Sequence, residues 1–170
     1  TKERIGWIKS HLPKMQKAED LFTVFTLDTQ FQTRTHHLEF KVASTDKLKS
    51  VVKNKKIVVT IPQSNKVEDA AVQNEIRRAI ERAWRKEAKE YLPIRVKELA
   101  AKHKFEYKKV AIKNSKTRWG SCSFDNNINL SLHLMRLPDH LVDYVILHEL
   151  VHTKVKNHSS DFWQLLDIVS

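Results

Sequence analysis

Residues 146–163 read ILHELVHTKVKNHSSDFW and contain three histidines and one glutamate. The residues just before them, 142–147, are mostly apolar, and this pattern predicts a buried helix that runs from about residue 138 to about residue 154. Pro138 suits the first turn of such a helix, and Asp139 is favourable near the positive end of its dipole. The stretch therefore predicts a rigid, largely buried helix that carries polar side chains near its end.

The spacing of His148 and His152 is that of a metal site. Residues four apart lie on one face of a helix, so both imidazoles reach the same point. Glu149 lies about 100° further around the helix, beside that point. This is the H-E-x-x-H arrangement of zinc hydrolases, in which the glutamate serves as general base. The pattern predicts His148 and His152 as metal ligands and Glu149 as the catalytic residue.

A catalytic zinc ion needs a third protein ligand, which leaves one position open for water. The candidates downstream are His158, Asp161 and Asp167. His158 follows His152 by six residues, the interval of the metzincin pattern H-E-x-x-H-x-x-G-x-x-H. Val155 replaces the glycine of that pattern, so we expect the chain to reverse at Asn157, which tolerates a positive φ. We therefore predict His158 as the third ligand.

Composition limits the class of protein. The 170 residues are 41% hydrophobic and 30% charged, as in a globular domain with a smaller appendage. No apolar run is long enough to span a membrane, the first residues lack the apolar centre of a secretory signal, and Cys122 has no disulfide partner, so we expect a cytoplasmic protein. The 31 basic residues outnumber 20 acidic ones, but they are scattered, which favours a solvated basic surface over a nucleic-acid patch.

The first part of the chain reads as a short helix followed by strands. Residues 1–19 have an amphipathic pattern, and the segments LFTVFTL, HHLEFKV and KIVVTIP within residues 21–62 are typical of strands. Asn65 and Glu68 then have the spacing of a capping box before a long helix, which we expect Pro93 to break or kink. We predict two domains: residues 1–64, with a helix and a small β-rich region, and residues 65–170.

The second part returns to strands after the long helix. Strands are predicted in KKVAIKN, TRWGSCS and NINLSLHLM, the last two joined by a turn at FDNN. In the last segment, residues 127–135, apolar residues alternate with Asn129, Ser131 and His133. This alternation predicts a strand with one buried face and one polar face.

Four motifs together resemble a known family. They are RWGSC at 118–122, INLS at 128–131, DYVILHELVH at 143–152 and NHSSDFW at 157–163. Residues 113–163 closely resemble the YgjP-like metallopeptidase family, relatives of the SprT-like zinc peptidases, and the resemblance extends weakly to residues 85–105. It implies an α+β fold: a zincin-like domain, with helices packed on a small antiparallel sheet, preceded by a small β-rich domain. For Trp119 and Gly120 we expect strand packing and a close backbone approach, with no direct chemical role.

These patterns favour metal-dependent hydrolysis of a peptide bond. Zn²⁺ or another divalent transition metal such as nickel or cobalt would lower the pKa of water to about 7, and Glu149 would take its proton. The substrate is expected to add as a strand along residues 128–135. The resemblance leaves three alternatives open: a UTP-type pyrophosphohydrolase, a DNA-associated protease or binding module, and a metal-stabilised structural domain. The sequence argues against the pyrophosphohydrolase, because Gly6 and Gly120 are the only glycines and no glycine-rich phosphate loop exists.

Overall fold

The computed structural model describes residues 24–170. The predicted helix in residues 1–19 and the first residues of the predicted strand 21–27 lie outside the described residues. The elements in chain order are β1 (His37–Ala43), β2 (Lys49–Lys53), β3 (Lys56–Pro62), α1 (Ala70–His103), β4 (Lys109–Lys113), β5 (Gly120–Cys122), β6 (Asn127–Ser131), a 3₁₀ helix (Leu132–Arg136), α2 (Asp139–Val151) and α3 (Ser160–Val169). Residues 24–27 form no strand. Within residues 24–170, no helix combines the length and apolar character that a membrane span requires.

Residues 24–87 and 88–170 form two compact units, and the long helix α1 belongs to both. The predicted boundary between residues 64 and 65 stays a prediction. Each unit contains one three-stranded sheet and its own buried residues. The predicted α+β class is confirmed.

The sheet of the first unit has the order β1-β3-β2. Strand β3 is parallel to β1 and antiparallel to β2, and the β2–β3 turn consists of Asn54 and Lys55, with φ angles of 52° and 58°. Two positive φ angles define a type I′ turn, whose twist matches that of the strands it joins. The core of this unit combines sheet residues Leu38, Ile57, Val59 and Ile61 with helix residues Val72, Ile76, Ala79, Ile80 and Ala83.

A buried carboxylate, Glu87, joins α1 to the segment before β1. Its Oε1 accepts hydrogen bonds from the Thr35 backbone N–H at 2.8 Å and hydroxyl at 2.9 Å, and from the Thr33 hydroxyl. The same oxygen lies 2.8 Å from Nδ1 of His36. Burial raises the pKa of Glu87, but the hydrogen bonds from Thr33, His36 and Thr35 together outweigh it and hold the pKa below its ordinary value.

Helix α1 differs from its prediction in where it begins and in its continuation past Pro93. It begins at Ala70, because the expected capping box is absent: Asp69 instead accepts hydrogen bonds from the Asn65 side chain at 3.1 Å and from the Lys66 backbone at 3.0 Å. It also continues through Pro93 to His103. The buried residues Leu92 and Val96 flank the proline, so tertiary packing outweighs the hydrogen bond that proline removes.

The sheet of the second unit has the order β4-β6-β5, with β6 parallel to β4 and antiparallel to β5. It is therefore mixed, whereas the expected sheet was antiparallel. The predicted strand 127–135 ends at Ser131, and a 3₁₀ helix follows. The Ser131 hydroxyl caps this helix by accepting from the backbone N–H of His133 at 3.3 Å, and both side chains are buried. The expected polar face beyond residue 131 is thus wrong.

An ion pair between Arg95 and Asp143 holds α2 against the second half of α1. Arg95 donates two hydrogen bonds to the carboxylate of Asp143, at 2.6 and 2.7 Å, and a third to Glu98 at 2.7 Å. The hydrogen bonds that Arg95 donates to Asp143 and Glu98 raise the pKa of its guanidinium. Two parallel hydrogen bonds between a guanidinium and a carboxylate have a strict geometry, so this pair fixes where α2 lies along α1.

Candidate metal centre

Helix α2 supplies the first part of the site. It is buried along Val142, Ile146 and Leu150, and Val151 is its last residue. His148 lies in its final turn, and His152 occupies the C-cap position. The helix ends slightly earlier than predicted, since residues 152–154 form a turn. The apolar side fixes the helix, so the polar residues at its end are held on a rigid support.

Three imidazoles converge beyond the end of α2. Nε2 of His158 lies 3.1 Å from Nε2 of His148 and 3.1 Å from Nε2 of His152. All three ligand atoms lie within 4.8 Å of one another. Nitrogen ligands of one tetrahedral zinc ion are about 3.3 Å apart, given Zn–N bonds of about 2.0–2.1 Å. The structure therefore brings together the three histidines predicted from the sequence, at a spacing that fits one metal ion.

The tautomer of His152 also suits a metal ligand. Its Nδ1 lies 3.0 Å from the carbonyl oxygen of Val155. A carbonyl only accepts, so Nδ1 carries the proton and Nε2 presents its lone pair to the other two rings. A neutral imidazole with a lone pair at Nε2 is the form in which histidine binds a metal. The donor set and the bond made by Val155 both fit a divalent metal.

The chain between the second and third histidines turns without a left-handed residue. Thr153 and Lys154 donate backbone hydrogen bonds to carbonyls in the last turn of α2, at 2.9 and 3.0 Å. Within residues 24–170 the positive φ angles of non-glycine residues are at Asn54, Lys55, Lys104 and Asn126. The expected positive φ at Asn157 is therefore wrong. A hydrogen-bonded turn after α2, together with the His152–Val155 bond, makes the reversal instead.

Two aromatic residues of α3 support the imidazoles. Phe162 is fully buried, and its ring centroid lies 4.8, 4.4 and 4.7 Å from those of His148, His152 and His158. Trp163 stacks on His158 at 5.5 Å and donates a hydrogen bond from Nε1 to the His158 carbonyl at 3.1 Å. The sequence prediction assigned no role to either residue. The signal was their place just after His158, in the first turn of a predicted helix.

Glu149 is buried beside the three histidines, with 6% of its surface exposed. Its side chain packs directly on the α-carbon of Gly120 in β5. A Cβ added at Gly120 would lie 2.7 Å from Cγ and Oε1 of Glu149, closer than real Cβ atoms approach. The expected close approach to the Gly120 backbone is confirmed, and the group that approaches it is the Glu149 side chain beside the histidines.

A cavity of about 580 Å³ opens onto these groups. Its described walls include β5 on one side and Tyr144, His148 and Glu149 of α2 on the other. Strand β5 is an edge of its sheet, whereas β6 is paired on both sides. The expectation that a substrate strand adds along residues 128–135 is therefore wrong, because β6 has no free edge.

The remaining sequence candidates lie outside the histidine cluster. Asp161 and Asp167 are exposed on α3 and do not belong to it. The buried His133 places Nε2 2.9 Å from the Asn114 side-chain oxygen. Cys122 lines the cavity; burial raises the pKa of its thiol, Lys156 opposes this and Glu149 adds to it, which disfavours the thiolate that would bind a metal.

Comparison with known proteins identifies relatives. A family model described as YgjP-like, metallopeptidase domain, matches residues 1–169. The solved structure of the metallopeptidase zymogen jannalysin from Methanocaldococcus jannaschii is 30% identical; the match covers 44% of this chain and 76% of that one, with a TM-score of 0.40. A search of curated proteins found no match.

Proposed function

Because the chain belongs to the YgjP-like metallopeptidase family, we propose that it is a zinc peptidase with an HExxH-x5-H site, in which His148, His152 and His158 hold the metal and Glu149 is the general base. The protein is a metal-dependent hydrolase, and its family acts on peptides. One observation carries the assignment of residues: three Nε2 atoms converge, with neighbours 3.1 Å apart.

The donor set favours zinc among divalent ions. Three neutral imidazoles leave one tetrahedral position open, as in catalytic zinc sites, whereas structural sites are closed by four ligands. Nickel and cobalt also bind imidazole nitrogen. The preference for zinc therefore rests on the four-coordinate geometry of the site and not on affinity. When bound, such an ion supplies Lewis acidity that polarises a carbonyl and makes water nucleophilic near neutral pH.

In this proposal Glu149 moves the protons of the reaction. Its carboxylate lies in a water-poor pocket against Gly120 and faces the same cavity as the three imidazoles. As base it takes a proton from the attacking water, and as acid it then gives that proton to the amine of the departing peptide half. Burial limits the conformations of the side chain, so the proton acceptor is held in position before substrate arrives.

The edge strand β5 is where we place the substrate backbone. Strand β5 (Gly120–Cys122) lines the cavity, and no other strand of residues 24–170 pairs with its outer edge, so an extended peptide can continue the sheet through main-chain hydrogen bonds. This arrangement orients the scissile bond with groups that every peptide has. Family membership supports a peptide substrate and gives no support to the nucleotide and DNA alternatives.

Two variants test the assignment. Glu149→Gln keeps the shape and removes the base, so we expect full metal content by elemental analysis and at least a hundredfold loss of casein hydrolysis. His158→Ala removes one ligand, so we expect the metal content to fall as well. His140→Ala, an exposed histidine of α2 outside the cavity lining, is the matched control and should change neither value. Hydrolysis that persists in Glu149→Gln would contradict the proposed role of this carboxylate.

A further inference from the structure

The two segments that border the cavity carry one sign of charge. Residues 113–123 and 150–160 contain five basic residues and no aspartate or glutamate. Of the described residues that line the cavity, Arg118 and Lys156 are basic, and only Glu149 is acidic. Because Glu149 is buried, the charged side chains in the accessible part of the cavity are basic.

Arg118 lies just before the edge strand β5 and is exposed. Its backbone N–H donates to the Ser115 hydroxyl at 3.3 Å, which ties down the chain at this residue. Within residues 24–170, none of the ion pairs involves its guanidinium, which nevertheless lines the cavity. The Arg118 guanidinium therefore borders the cavity next to β5, and no carboxylate of residues 24–170 forms an ion pair with it.

Lys156 marks the other end of β5 but is already engaged. Its ammonium donates to the Ser123 carbonyl at 3.1 Å and to the Asn126 side-chain oxygen at 2.5 Å. Both acceptors are neutral, so the positive charge remains although two of its three N–H donors are occupied. The two cations therefore bracket the edge strand, and Arg118 has more donors available for a ligand than Lys156.

We propose that Arg118 makes the enzyme select peptides that carry aspartate or glutamate next to the scissile bond. This inference rests on the proposed peptidase function and on substrate binding along β5. A guanidinium matches a carboxylate with two parallel hydrogen bonds, a fit that a neutral or basic side chain lacks. At an exposed position each such contact is modest and is screened by salt.

The test compares two fluorogenic peptides that differ only in having glutamate or lysine on both sides of the scissile bond. At low salt we expect the glutamate peptide to have about tenfold higher kcat/KM, and this ratio should shrink as salt rises. Arg118→Glu should reverse the preference. Lys116→Glu is the matched control, since Lys116 is exposed on the same segment but does not line the cavity, and it should leave the ratio unchanged.

Binding separates this inference from the proposed function. The same peptides, labelled and titrated against metal-loaded Glu149→Gln protein with and without Arg118→Glu, report selectivity without turnover. Acid preference in binding that Arg118→Glu removes, without hydrolysis by the wild type, supports the inference and counts against the peptidase. Hydrolysis with equal kcat/KM for both peptides, or an equal loss for both in Arg118→Glu, supports the peptidase and overturns the selectivity.

Discussion

The contact between Gly120 and Glu149 gives the most decisive prediction, for the variant Gly120→Ala. The added methyl group would lie 2.7 Å from Cγ and Oε1 of Glu149 and 2.9 Å from Cδ. Ordinary carbon contacts begin near about 3.5 Å, so the carboxylate must move by roughly 0.8 Å. No described glycine has a positive φ, so alanine fits the backbone, and the whole effect comes from this contact.

A displacement of about 1 Å in a catalytic group lowers the rate by about 100-fold. We therefore expect kcat/KM for a peptide to fall by about that factor in Gly120→Ala. Metal content should stay normal, because the atoms nearest to the added methyl group belong to Glu149 and not to the three imidazoles. The overpacked contact should also destabilise the fold by about 1–3 kcal/mol, which is roughly 2–4 °C in Tm for each kcal/mol in a chain of this size.

Thermal unfolding of four proteins checks that Glu149 is the cause. In Glu149→Ala the clashing atoms Cγ, Cδ and Oε1 are absent, so adding Gly120→Ala to that background should cost almost no stability. The wild type, both single variants and the double variant complete the cycle. A Gly120→Ala enzyme whose kcat/KM stays within about twofold of the wild type would refute the reasoning, as would equal destabilisation in both backgrounds.

Three further predictions concern single contacts. Trp163→Phe keeps the ring on His158 but loses the Nε1 hydrogen bond, so chelator competition should show metal binding weakened about threefold to tenfold; unchanged affinity would mean the bond does not order His158. Lys55→Gly relieves the left-handed conformation beside Asn54, so urea unfolding should show stability increased by about 0.5–1 kcal/mol, and a decrease would contradict the turn. The pKa of Glu87 is lowered on folding, so ionised Glu87 stabilises the fold above its ordinary pKa of 4.5, and this stabilisation is lost as pH falls below that value. In Glu87→Gln, acid unfolding curves should show a smaller loss of stability with falling pH. An unaltered pH dependence would contradict this prediction.

Local spacing made the convergence of the three histidines predictable from sequence. The interval between His148 and His152 fixes their common side once a helix is assumed, and a loop of five residues limits how far His158 can lie from them. The structure places all three together, although the turn is not made at Asn157. The site was predictable because its geometry depends on neighbours in the chain, whereas the detailed backbone path had several solutions.

Long-range packing explains what the sequence left undetermined. Alternating apolar residues from Ile128 to Leu134 fit a strand, but the 3₁₀ helix after Ser131 buries Leu132 and Leu134 equally well. Likewise, nothing local to Pro93 reveals that Leu92 and Val96 are buried firmly enough to keep the helix intact. Strand order also depends on long-range contacts, because it is decided by pairing between segments far apart in sequence.

The edge strand links two requirements of the proposed reaction. Gly120 begins β5, whose open edge receives the substrate in the proposal, and the same residue bounds the space of Glu149. A shift of β5 therefore moves the peptide backbone and the wall against the base together, so their relative position is preserved. Glycine is required at this position because any side chain would separate the two. Under the proposed function, the absence of a Cβ at residue 120 lets the proposed base lie directly against the strand that we propose binds the substrate, which would explain why a residue without functional groups occurs there.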